Sequence, residues 1–139
     1  MCQPSAAPSP VLLLGPDGGA RLLMVSVSAG EGYTLVSLDG EGDVTVRGGL
    51  RAALTAQVAA AAPHLVVDLS RLSFIDCSCL QVLWQVSRMA EAAGGTLGLA
   101  ALQPVVARVM ELWGAGQVMW VHDSVAEAVI ALPPVTQAG

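Results

Sequence analysis

Leu65-Val66-Val67-Asp68-Leu69-Ser70-Arg71-Leu72-Ser73-Phe74-Ile75-Asp76-Cys77-Ser78-Cys79-Leu80 begins with a short apolar, β-branched run. Such a run suits a buried strand over 65–69. Residues 70–75 then read as a loop, with two apolar residues just before Asp76. An apolar segment with helical spacing follows Asp76, so the stretch predicts strand, loop and helix N-terminus in that order. Asp76 or a neighbour can cap that helix by accepting from its first free N–H groups. The partial positive charge at such a terminus favours an anion, and Cys77, Ser78 and Cys79 sit beside it.

The rest of the chain extends this pattern. Residues 21–28 alternate loosely through Leu22, Leu23, Val25 and Val27, 29–32 hold two glycines, and 33–38 suit a second strand. The pair reads as a β-hairpin. An acidic turn follows, Gly40-Glu41-Gly42-Asp43. Leu50, Leu54 and Val58 form the apolar stripe of a helix that Gly48-Gly49 delays to about Leu50 and Pro63 stops. The helix from Cys77 runs to about Ala93 and ends at Gly94-Gly95. Then come a strand over 96–101, a Pro104-led helix ending at Gly114, a strand over 117–121, and a capping box Ser124…Glu127 that opens a last helix to about Leu132. Strands alternating with helices after a hairpin predict an α/β fold with a mixed, mostly parallel sheet and about four helices.

Composition narrows the function. The 139 residues suit one domain, with 1–20 as a flexible N-terminal tail, 21–133 as the domain and 134–139 as a C-terminal tail. No apolar run approaches ~20 residues, so no membrane insertion is expected. The basic residues are six scattered Arg against a net charge of -5, which gives no nucleic-acid surface. Three Cys make no disulfide framework and point to a reducing cytoplasm. His64 and His122 stand apart with no Cys/His cluster, so neither a metal site nor a catalytic triad is expected. The domain reads as a binding module without a cofactor, not an enzyme.

The central stretch resembles the STAS domain family, the bacterial anti-sigma factor antagonists. That family has an apolar strand, Asp-Leu-Ser, a loop ending in Phe-Ile/Met-Asp, then Ser-Ser/Thr-Gly-Leu. This chain has Asp68-Leu69-Ser70, Phe74-Ile75-Asp76 and Cys77-Ser78-Cys79-Leu80. Cys77 takes the place of the family's phosphorylated serine and Cys79 that of its glycine. The family also carries Gly-Glu-Leu-Asp where this chain has Gly40-Glu41-Gly42-Asp43. The resemblance covers roughly residues 22–132.

What the resemblance implies is partner switching. The unphosphorylated domain binds an anti-sigma factor, a kinase of the histidine-kinase-like ATPase type, and frees a sigma factor. Phosphorylation at the helix N-terminus breaks that contact. The alternative is a stand-alone STAS subunit of a membrane lipid transport or stress-sensing assembly, which needs no acceptor serine. A homodimer is left open.

Helical spacing puts Val82, Leu83, Val86, Met89, Ala90 and Cys79 on a core-facing arc. Cys77, Leu80, Trp84 and Arg88 fall on another, read as a partner face together with Asp43, Asp76 and Ser78. Each has a plainer reading. Asp76 is a cap, Cys77 an inert small residue, Ser78 a second cap hydroxyl instead of the phosphoacceptor, and Trp84 ordinary packing. Trp113 and Trp120 are read as packing residues.

Overall fold

A computed structural model describes residues 11–14, 22–59, 64–114 and 119–132. Its elements are β1 (Val11–Leu14), β2 (Leu22–Gly30), β3 (Tyr33–Gly42), a 3-10 turn (Val44–Val46), α1 (Arg47–Ala59), β4 (His64–Ile75), α2 (Cys77–Ala92), β5 (Thr96–Ala100), α3 (Pro104–Trp113), β6 (Trp120–His122) and α4 (Val125–Ile130). Among the described residues the strands form one six-stranded sheet in chain order, β1-β2-β3-β4-β5-β6. The first two pairings are antiparallel and the last three parallel. The expected hairpin and the alternation after it are both present.

The sheet has two unequal faces because side chains alternate along a strand. Leu65, Val67 and Leu69 of β4 join Val36, Leu38, Leu97 and Leu99 in the main core. That core is closed by Leu50 and Leu54 of α1, by Cys79, Leu80, Leu83 and Val86 of α2, and by Val106 and Met110 of α3. Val66 points the other way and meets Ala100 and Ala128 under α4 in a smaller cluster. The near-continuous apolar run at 65–67 thus has cover on both sides, as interior parallel strands do.

The structure departs from expectation as follows at both ends of the chain and around the centre. The tail over 1–20 contains β1, which pairs with Leu22 to Val25 of β2; the other residues of that stretch lie outside the described ones. The loop over 70–75 is the second half of β4, and Gly40, Glu41 and Gly42 of the acidic turn are the end of β3, which it pairs, with Asp43 just outside the strand. Two register shifts, between Ser37/Asp39 and Gly40/Glu41, each place an extra β4 residue opposite β3. Buried positions therefore recur every third residue, at Leu69, Leu72 and Ile75, and this hid the strand from a period-of-two reading. Gly40, at φ 125°, takes a backbone conformation that L side chains rarely adopt. The last strand is Trp120–His122, with 115–118 outside the described residues, and Trp120 is 61% exposed instead of packed. Finally, α1 begins at Arg47, so Gly48 and Gly49 lie inside its first turn.

A side chain at Gly48 would meet nothing within 4 Å. Gly48→Ala should therefore stabilise the domain by about 0.5–1 kcal/mol, since alanine keeps helical geometry at lower entropic cost. A denaturant titration checks this, and an unchanged or lowered midpoint would show that the first turn of α1 is not helical in solution.

Candidate functional site

Two segments meet at the N-terminus of α2. The Asp76 N–H donates to the Gly42 carbonyl at 2.9 Å, which ties the end of β4 to the end of β3. Asp76 is the N-cap in extended backbone, and its Oδ1 accepts from the Cys79 N–H at 3.0 Å. The Ser78 hydroxyl donates to the same oxygen at 2.6 Å. One carboxylate thus satisfies an orphan backbone donor and orders the first turn, the capping role expected of it. Asp43 does the same for the 3-10 turn, accepting from the Thr45 N–H at 3.0 Å and from the Thr45 hydroxyl.

A second tie runs through sulfur. The Cys79 thiol donates to the Asp43 carbonyl at 3.3 Å, and that carbonyl also accepts from the Val46 N–H at 3.1 Å. A Cβ built on Gly42 would lie 3.6 Å from both Cβ and Sγ of Cys79. Burial first, then the Asp76 carboxylate beside it, pushes the Cys79 thiol up to about 12 from 9.0. It is a packing and tethering group, not a nucleophile.

This has a consequence in alkali. Below pH 9 the thiol is protonated in both folded and unfolded chains, so its contribution to stability is fully present. Between about 9 and about 12 the unfolded chain loses a proton that the folded chain keeps, and stability falls as pH rises. The unfolding midpoint of the native protein should therefore drop more steeply over that interval than the midpoint of Cys79→Ala. Parallel profiles would show that the thiol is not shielded.

The remaining residues separate by face. Cys77 is exposed and Cys79 buried, as their helical positions imply. Leu80 is fully buried in the main core, so its place on the partner face is corrected, and Ser87 one turn before the end of the helix is buried too. The apolar arc of α2 is wider than the sequence reading allowed, because α2 packs against α1 as well as the sheet. Trp84 is half-buried against the edge of the core, and the Arg88 guanidinium lies 5.5 Å from the centre of its ring. Ser78 is half-buried and faces the groove between α1 and α2, away from Cys77.

Two residues escaped the sequence reading. Val44 is 58% exposed and Phe74 36% exposed, and each lies two residues in sequence from the Gly42–Asp76 tie. Their signal was available: each is a large apolar side chain beside a cap, outside any helical stripe. Asp43 caps the 3-10 turn beside Val44, Cys77 opens α2, and Trp84 and Arg88 continue the Cys77 stripe along α2 at i+7 and i+11.

A family model described as STAS domain matches residues 24–128. No curated protein sequence matches the chain. Among solved structures, an anti-sigma factor antagonist from Mycobacterium paratuberculosis is 28% identical, with a TM-score of 0.74 over 86% of this chain and 98% of its own. The anti-sigma factor antagonist SpoIIAA in its unphosphorylated form is 23% identical, with a TM-score of 0.67 over 81% of this chain and 99% of its own. The murine anion transporter Slc26a9 is 18% identical, with a TM-score of 0.64, and the match spans 89% of this chain but 22% of the transporter.

Proposed function

This chain belongs to the STAS domain family, and we propose that it is an anti-sigma factor antagonist. In this reading it binds an anti-sigma factor of the histidine-kinase-like ATPase type through the α2 N-terminus and so releases a sigma factor in the cytoplasm. The observation that carries the reading is the likeness to the mycobacterial antagonist along nearly the whole of that protein. The exposure of Cys77 at the first residue of α2, and of Val44 and Phe74 two residues from Gly42 and Asp76, supports the same reading. Among the described residues no helix is long and apolar enough to cross a membrane. The likeness to the transporter carries the fold alone, and the alternative role as a subunit of a transport or stress-sensing assembly, which needs no acceptor serine, has Cys77 in its favour.

The mechanism rests on shape and charge at one helix end. Asp76 and the Cys79 thiol hold the β3 and β4 termini together, so Asp43, Val44, Phe74 and Cys77 form one preorganised patch. Cys77 stands outward where the family carries its acceptor serine, which leaves Ser78 as the proposed phosphoacceptor. Its hydroxyl already donates to Asp76, an acceptor placed to draw the proton as phosphate arrives.

Co-purification with the cognate anti-sigma factor tests the proposal. A complex should form, and Val44→Glu should weaken it by about tenfold or more while the melting temperature stays within a few degrees. Capture of an ABC-type ATPase instead of an anti-sigma factor would move the protein to the alternative role.

A further inference from the structure

Ser78, Gln81, Val82 and Gln85 recur at helical spacing along one stripe of α2, and Arg47, Gly48 and Arg51 along a facing stripe of α1. Between them lies a groove of about 320 Å³. Every polar side chain lining it can donate a hydrogen bond: two guanidinium groups, two amides and a hydroxyl, with no carboxylate in the lining.

The other described arginines are engaged elsewhere. Arg71 pairs with Asp39, Arg108 with Glu111, and Arg88 lies over Trp84. Arg47 and Arg51 share the groove, and Arg51 is steadied across it by a hydrogen bond from its Nη1 to the Gln85 Oε1. A chain with a net charge of -5 thus gathers two of its six cationic side chains at one concavity.

We propose that this groove is a phosphoryl-binding site, with Arg47 and Arg51 as its charged ligands and the Gln81 and Gln85 amides as further donors, the Ser78 hydroxyl being already given to Asp76. A phosphoryl group brings up to two negative charges and three acceptor oxygens, which match two guanidinium groups and several neutral donors. A carboxylate offers half that charge and two oxygens, and would leave donors unused. The Asp76 carboxylate stands next to Ser78, but its Oδ1 is already held by the Cys79 N–H and the Ser78 hydroxyl. The phosphoryl group arrives on a small phosphate ester or is carried by Ser78 itself. Only the second source rests on the proposed function.

Thermal melting of the full chain in sodium phosphate, against sodium chloride of equal ionic strength, reads the site with inorganic phosphate as probe. The melting temperature should rise by about 3–5 °C in phosphate, and the ³¹P line should broaden on adding protein. Arg47→Gln with Arg51→Gln should abolish both responses, and these side chains are exposed enough for the variant to fold. Ser78→Ala and Ser78→Glu separate the sources. If the group belongs on Ser78, Ser78→Glu melts above Ser78→Ala without phosphate and no longer responds to it. If a free ester is the occupant, both respond as the native chain does. Equal melting in phosphate and chloride, or responses that survive loss of both arginines, would overturn the site.

Discussion

Gly42→Leu should lower the melting temperature by roughly 5–10 °C, and Cys79→Gly on top of it should restore a good part of the loss. Gly42 is buried and has no unusual backbone angle, so space alone decides what fits there. A methyl group would sit at 3.6 Å from the Cys79 Cβ and Sγ and the Ile75 Cγ1, an ordinary contact, and alanine is accommodated. A leucine carries three more carbons into atoms that are 0% and 1% exposed and cannot retreat. Overpacking of this kind costs about 1–3 kcal/mol.

The family pattern carries leucine where this chain has Gly42, and glycine where it has Cys79. These two departures lie far apart in sequence, yet they touch. The volume given up at β3 is taken by the cysteine on α2, and the thiol gains a tie to the Asp43 carbonyl. Cys79→Gly alone should cost about 2 kcal/mol through the void it leaves and the glycine it puts in a helix. The pair should show a coupling of about 1–3 kcal/mol of rescue in a double-mutant cycle. Additive losses would mean that the two positions do not compensate, and that the α2 N-terminus tolerates leucine by another route.

Much of this was legible in the sequence. The strand at 65–69, the Asp76 cap and the Cys79 side of α2 follow from periodicity and capping chemistry, and the structure has them. What was not legible has physical causes. The bulged half of β4 breaks the period of two, so 70–75 looked like a loop. Leu80 looked exposed because the arc was drawn for packing on a sheet, while α1 adds a second neighbour. The contact between Gly42 and Cys79 depends on which β3 residue meets the end of β4, and that register comes from the bulges. The groove with Arg47 and Arg51 needs α1 to begin a turn earlier than its glycines suggested.

The claim that the α2 N-terminus is the binding face is tested most directly at Cys77. Its side chain is exposed at the first residue of α2, so exchange for glutamate should leave folding intact, and an acid in a first turn is favourable to the helix. Cys77→Ser changes little in size or charge and should bind the anti-sigma factor within about threefold of the native chain. Cys77→Glu places a charge and added bulk at the centre of the contact, and should weaken binding by about 100-fold with an unchanged melting temperature. Calorimetric titration of the anti-sigma factor with the three proteins gives both numbers against a common reference. Loss of affinity confined to Cys77→Glu is the predicted result; a Cys77→Glu protein that binds as tightly as the native chain would contradict it and place the partner on another face.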